Sequence, residues 1–113
     1  MRRAVLVIAT LTSLSSQPAT AVDGNELLAD CEYFLARPPT LPLDALKAGH
    51  CIGYIQGVWD ALLRQRYVCR PDGLTVIQLG DVVKLYLRNH PETRHQTADE
   101  LVATALKEKF PCN

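Results

Sequence analysis

The sequence predicts an all-α fold: a small four-helix domain stapled by two disulfides. Three observations carry that expectation. Apolar residues recur at helical spacing in four separate segments, each bounded by a capping or helix-breaking residue. No alternating run is long enough to make a convincing strand; Leu74 to Leu79 is apolar, but its spacing continues into a helix. Four cysteines, Cys31, Cys51, Cys69 and Cys112, follow a segment with the layout of an export signal.

That segment is residues 1–21. Arg2 and Arg3 are followed by the apolar run Ala4 to Leu11, a small polar stretch, and Ala19-Thr20-Ala21, a small-x-small cleavage site. The run is too short to anchor the chain across a bilayer. Cleavage after Ala21 leaves a domain of residues 22–113, with ten Lys and Arg against twelve Asp and Glu. This slightly acidic balance, without a basic patch, argues against a nucleic-acid partner. An even cysteine count in a small exported chain reads as disulfides. Cysteine spacings of 20, 18 and 43 do not suit a zinc site. Export, structural disulfides and no anchor together imply the periplasm or the exterior of a bacterium.

The first helix is expected to start at Asp23, with Glu26 completing a capping box. Leu27, Leu28, Cys31, Phe34 and Leu35 form its buried face, and the proline-rich stretch Arg37 to Pro42 ends it. The second and longest helix is expected over Asp44 to Arg66, capped by Asp44. Its apolar stripe is Ala48, Cys51, Ile52, Ile55, Val58, Trp59, Leu62 and Leu63. A neighbouring face carries Gly49, Gly53 and Gly57. Each glycine costs about 1 kcal/mol of helix propensity relative to alanine, so the row needs a use. It is either a close helix contact inside the monomer or the seam of a homodimer, since small residues let helices approach closely.

Pro71-Asp72-Gly73 signals a turn. Thr75 with Gln78 then makes a capping box for the third helix, whose buried face is Val76, Leu79, Val82, Val83 and Tyr86. The fourth helix has two candidate starts. Pro91 suits a first helical position, with Asn89 or His90 as cap, and Thr97 with Glu100 offers a second start further on. Ala98, Leu101, Val102, Ala105, Leu106 and Phe110 form its stripe, and Pro111 stops it.

Helix geometry selects the disulfide pairing. Cys51 and Cys69 are separated mostly by helix and would lie on the order of 25 Å apart, beyond disulfide reach. An antiparallel pairing of the first two helices around the proline loop brings Cys31 to Cys51. An antiparallel pairing of the last two returns Cys112 to Cys69.

Catalytic patterns are weak. His90 and His95 flank Glu92 in HPETRH, but this is not H-E-x-x-H, and the first His precedes proline. Every cysteine has a structural use, which removes a Cys–His nucleophile. There is no G-x-S-x-G and no phosphate-cradling loop. His50 reads as a surface or interface residue. No cofactor and no metal site is expected, and the chain does not read as an enzyme. The loop Arg88 to His95 is polar, compact and clamped by proline, which suits insertion into a partner's cleft. His90, Pro91, Glu92, Arg94 and His95 are its candidate partner-binding residues.

Four blocks, GNELLADC (Gly24 to Cys31), CIGYIQGVWDA (Cys51 to Ala61), CRPDGLTVIQL (Cys69 to Leu79) and LRNHPETRHQTADELVATALKEKFPC (Leu87 to Cys112), together resemble the Rap/Tai immunity family. The resemblance implies a small periplasmic helical protein, often a homodimer. Such proteins bind type VI secretion peptidoglycan amidase effectors and occlude their active sites without catalysis. Of the family's functional positions, the cysteines and the HPE…H segment carry over to this chain. A second reading of the same size, helices and staples is a periplasmic acid-stress chaperone of the HdeA type. A third is an envelope protein with no toxin partner.

Overall fold

A computed structural model describes residues 19–33 and 41–113. Its four helices are α1 (Gly24–Cys31), α2 (Pro42–Arg64), α3 (Val76–Asn89) and α4 (Ala98–Lys109). Residues 1–18, which hold most of the expected export signal, and Phe34, Leu35 and the prolines 38 and 39 lie outside the described residues.

The helix starts follow their caps. Asp23 accepts from Glu26 N–H at 2.9 Å, so α1 begins where expected. It ends earlier, at Cys31, where Tyr33 N–H turns back to the Asp30 carbonyl in a tightened last turn. In α2 the expectation for Asp44 fails. Leu41 is the extended N-cap residue and Pro42 begins the helix, which leaves Asp44 in the first turn. Proline, with φ already helical and no N–H to orphan, displaces the cap. At the far end Arg66 has φ 62°, Arg66 N–H donates to Leu63 O, and Tyr67 N–H donates to Leu62 O. This is a Schellman closure with arginine where glycine usually sits. Gly73, at φ 75°, takes the left-handed position of the Pro71–Leu74 turn. The reciprocal capping box of Thr75 and Gln78 on α3 is complete. The fourth helix uses the later of its two starts: Thr97 is the N-cap, and Pro91 lies in a run of turns seven residues before Ala98.

Both disulfides are paired as helix geometry required, Cys31–Cys51 with Cα atoms 5.0 Å apart and Cys69–Cys112 at 4.9 Å. Leu27, Cys31, Cys51, Ile55, Val83, Leu87, Val102 and Leu106 form the centre of the core, all fully buried. Each large aliphatic side chain there contributes about 1.5–3 kcal/mol of burial. Trp59 closes one end against Phe110, edge to face with ring centroids 5.3 Å apart. Leu87 and Gly80 join the buried face of α3, while Val76, Val82 and Tyr86 sit at its margin.

The glycine row faces away from the core. Cys51, Ile55, Trp59 and Leu62 turn α2 into the core, and Gly49, Gly53 and Gly57 lie exposed on its outer side. A Cβ added at any of the three would meet no described atom within 4 Å. Among the described residues, therefore, no helix packs against the row. The helical period dictates this, because three residues at four-residue spacing opposite the buried stripe cannot also face it.

Candidate functional site

The connection between α3 and α4 is built by its two flanks. His90 precedes Pro91 and leaves helical geometry at φ −123°, ψ 58°. Its ring folds back on the helix it terminates, stacked on Tyr86 with centroids 4.1 Å apart, and Nδ1 lies 2.7 Å from the Tyr86 carbonyl oxygen. A carbonyl only accepts, so Nδ1 carries the proton and donates to one of the carbonyls left open at the end of α3. Two turns follow: Thr93 N–H donates to His90 O at 3.2 Å, and Gln96 N–H to Thr93 O at 2.9 Å.

The second flank is the start of α1. Gly24 N–H donates to Gln96 O and Asn25 N–H to Arg94 O, both at 3.1 Å, and Ala98 N–H donates to Val22 O at 2.8 Å. The open N–H groups of a helix start thus meet the open carbonyls of a loop. Close approach is possible because residue 24 is glycine. A Cβ there would lie 2.5 Å from Leu101 Cδ1 and 2.9 Å from the Arg94 carbonyl oxygen.

This bracing sorts the candidate residues. Pro91, Glu92 and His95 are exposed; His90 and Arg94 are half-buried. His90 is committed to Tyr86, and Arg94 Nε is buried without a hydrogen-bond partner among the described residues. Arg88 points away to α1, where Nε and an Nη meet the two Glu32 carboxylate oxygens at 3.0 and 2.5 Å. The Arg88 hydrogen bond holds the Glu32 carboxyl below its ordinary value, against a smaller opposing effect of burial. Burial pushes the Tyr86 phenol up, and the charges of Glu108 and Glu92 push it further.

His50 lies elsewhere, on α2 beside the first disulfide. Its Nδ1 is 2.6 Å from Asp30 Oδ2, so the residues preceding Cys31 and Cys51 form a second link parallel to the disulfide. Sequence reasoning missed this pair, the Glu32–Arg88 pair and the role of Gly24. The first could have been read from the pairing, because each partner is one residue from a bonded cysteine. All four cysteines are disulfide-bonded. Among the described residues no group of three or more His, Cys, Asp or Glu is placed to hold a metal ion, and no helix is long and apolar enough to cross a membrane.

A family model for Rap1a immunity proteins matches residues 23–112. The chain belongs to that family. A search of curated proteins gives no match. The matched span begins at the N-cap of α1 and ends at the last cysteine, so it takes in the four described helices, both disulfides and the α3–α4 connection of this Rap1a-family chain. Immunity proteins of this kind act against a secreted effector, which makes a protein surface, rather than a small-molecule cleft, the site to look for.

Proposed function

We propose that this Rap1a-family protein is exported to the periplasm, where it binds a type VI secretion peptidoglycan amidase and occludes its active site, without catalysis of its own. The observation that carries the reading is the braced α3–α4 connection. Exposed Pro91, Glu92 and His95 project from a loop whose backbone is fixed on both flanks before any partner arrives. Pre-ordering of this kind lowers the entropy cost of docking into a cleft. The basic, apolar and small-residue sequence of residues 1–21 supports export with cleavage after Ala21, and the two disulfides suit an oxidising compartment.

The test pairs the protein with a type VI peptidoglycan amidase, taken from the neighbouring gene where one is encoded there. Glu92→Ala with His95→Ala should weaken binding at least tenfold, about 1.4 kcal/mol, and leave the circular-dichroism melt unchanged. His90 is kept in this variant because its ring caps α3. Unchanged affinity would remove the loop from the interface, and no complex with the wild-type protein would sink the amidase reading.

The same reading includes a homodimer joined through the outer face of α2. Its support is that Gly49, Gly53 and Gly57 present helix backbone to solvent with no described neighbour, at the propensity cost of three glycines. Gly53→Leu should fold and shift sedimentation from dimer to monomer; a monomeric wild type would end this part of the proposal.

A further inference from the structure

Beside the braced loop, α3 and α4 enclose a pocket of about 170 Å³ that the loop does not fill. This is below the roughly 300 Å³ at which small-molecule sites begin, and it suits one long side chain. Val82, Leu85 and Ala105 give it apolar walls, and Tyr86, His90 and Glu108 stand around them. Leu85, 56 % exposed, stands at its rim.

The polar groups of the pocket share a bias. The Tyr86 carbonyl holds a proton of His90 on Nδ1, so Nε2 is the ring nitrogen left to face a ligand. Glu108 brings a carboxylate to the lining, and Asn89 an amide oxygen. Glu92, from the loop, is near enough for its charge to be felt at the Tyr86 phenol, as Glu108's is. Among the lining residues Lys109 balances Glu108 one to one, and the charge of Glu92, reaching Tyr86 from the loop, tips the surroundings of the pocket to negative. Apolar walls with acceptors at the rim complement a side chain with a methylene stem and several donors at its tip. Arginine fits better than lysine, because its planar head offers five donors to separated acceptors and is less strongly hydrated.

We propose that this pocket receives an arginine side chain from the protein partner, its stem against Val82, Leu85 and Ala105 and its guanidinium beside Glu108. The proposal rests on the immunity reading for the source of the arginine. It makes the docking surface two-part: the loop residues Pro91, Glu92 and His95 enter the partner, and one partner residue enters this chain. Buried arginine anchors of this sort tend to dominate interface energies.

The probe is N-acetyl-arginine methylamide, titrated into the ¹⁵N-labelled protein, with the citrulline analogue as an isosteric neutral control. Saturable shifts are expected for the amides of residues 82–90 and 105–109. The citrulline compound should bind about fivefold more weakly, the worth of a solvent-facing ion pair. Glu108→Gln, at an exposed position, should remove that preference and leave the protein folded. Absence of saturable shifts, equal binding of citrulline, or full arginine preference in Glu108→Gln would each overturn the proposal. If the amidase binds but the arginine probe does not, the pocket assignment falls and the immunity reading stands. If the probe binds and the amidase does not, the immunity reading falls, and the partner arginine with it.

Discussion

The same substitution, glycine to alanine, should have opposite signs at two helical positions of this chain. At Gly24 the added methyl would lie 2.5 Å from Leu101 Cδ1 and 2.9 Å from the Arg94 carbonyl oxygen. The leucine can rotate, but the carbonyl is backbone and cannot move without loosening its own bond from Asn25 N–H and, two residues on, the bond from Gly24 N–H to Gln96 O. Overpacking costs about 1–3 kcal/mol, and each weakened hydrogen bond about 0.5–1.5 kcal/mol. A loss of about 3 kcal/mol follows, or a fall in Tm of about 12–24 °C in a domain of this size. At Gly53 the methyl meets no described atom within 4 Å, and alanine should gain about 1 kcal/mol from helix propensity, raising Tm by about 4–8 °C. Urea and thermal melts followed by circular dichroism measure both, and sedimentation of the same samples separates a helix effect from a change in association. A Gly24→Ala variant within about 0.5 kcal/mol of wild type, no more than the smallest of the costs summed here, would refute the claim that the α1–loop junction is closed by glycine.

The disulfides differ in exposure and should differ in reactivity. Cys69 and Cys112 are exposed and Cys31 and Cys51 fully buried, so under native conditions dithiothreitol should open Cys69–Cys112 first. Alkylation with peptide mass spectrometry reads the order, and equal rates would contradict the burial. Breaking that bond should cost about 4 kcal/mol by loop entropy, against about 3 kcal/mol for the shorter loop of Cys31–Cys51, to which lost core packing is added. The Glu32–Arg88 pair predicts a pH dependence. The Glu32 carboxyl lies below its ordinary 4.5 in the folded protein. Its stabilisation is therefore complete above about pH 4.5 and lost as pH falls through the lowered value. Glu32→Gln should melt slightly below wild type at neutral pH, and the two should converge in acid. Both side chains are about half exposed, so the difference should shrink in salt. A gap that widens below pH 4.5 would reverse the assignment.

What the sequence made legible was what local chemistry decides. Thr75 and Gln78 specify the start of α3 by a capping box whose bonds are both intrasegment, and Ala98 to Leu106 specify the buried stripe of α4 by period alone. The cysteine pairing was legible because a long helix excludes one connectivity and hairpin symmetry selects between the rest. The misreadings arose where two local signals competed. Pro42 and Asp44 both begin a helix, and the proline wins because it needs no partner. Pro91 also begins helices, but the bonds from α1 to Arg94 O and Gln96 O hold the chain in turns until Thr97. Those bonds join residues some seventy positions apart, and no window of sequence contains them. The glycine row was visible as a row. Whether it faced inward depended on the phase of the stripe beside it, which the spacing of Cys51, Ile55, Trp59 and Leu62 does contain.

The proposed docking loop depends on a helix that could not stand alone. α1 has eight residues, well short of the length at which an isolated helix holds in water. Its C-terminal end is secured by Cys31–Cys51, by Asp30 on His50 and by Glu32 on Arg88. Its N-terminal end supplies the donors that shape the loop through Arg94 O and Gln96 O. The loop's form is therefore transmitted from a disulfide at the opposite end of α1. Opening Cys69–Cys112 alone should leave the Gly24 and Asn25 amides slow to exchange, whereas opening Cys31–Cys51 should release them together. In a reducing compartment the loop would lack its second flank, so oxidation sets the shape of the surface as well as its stability.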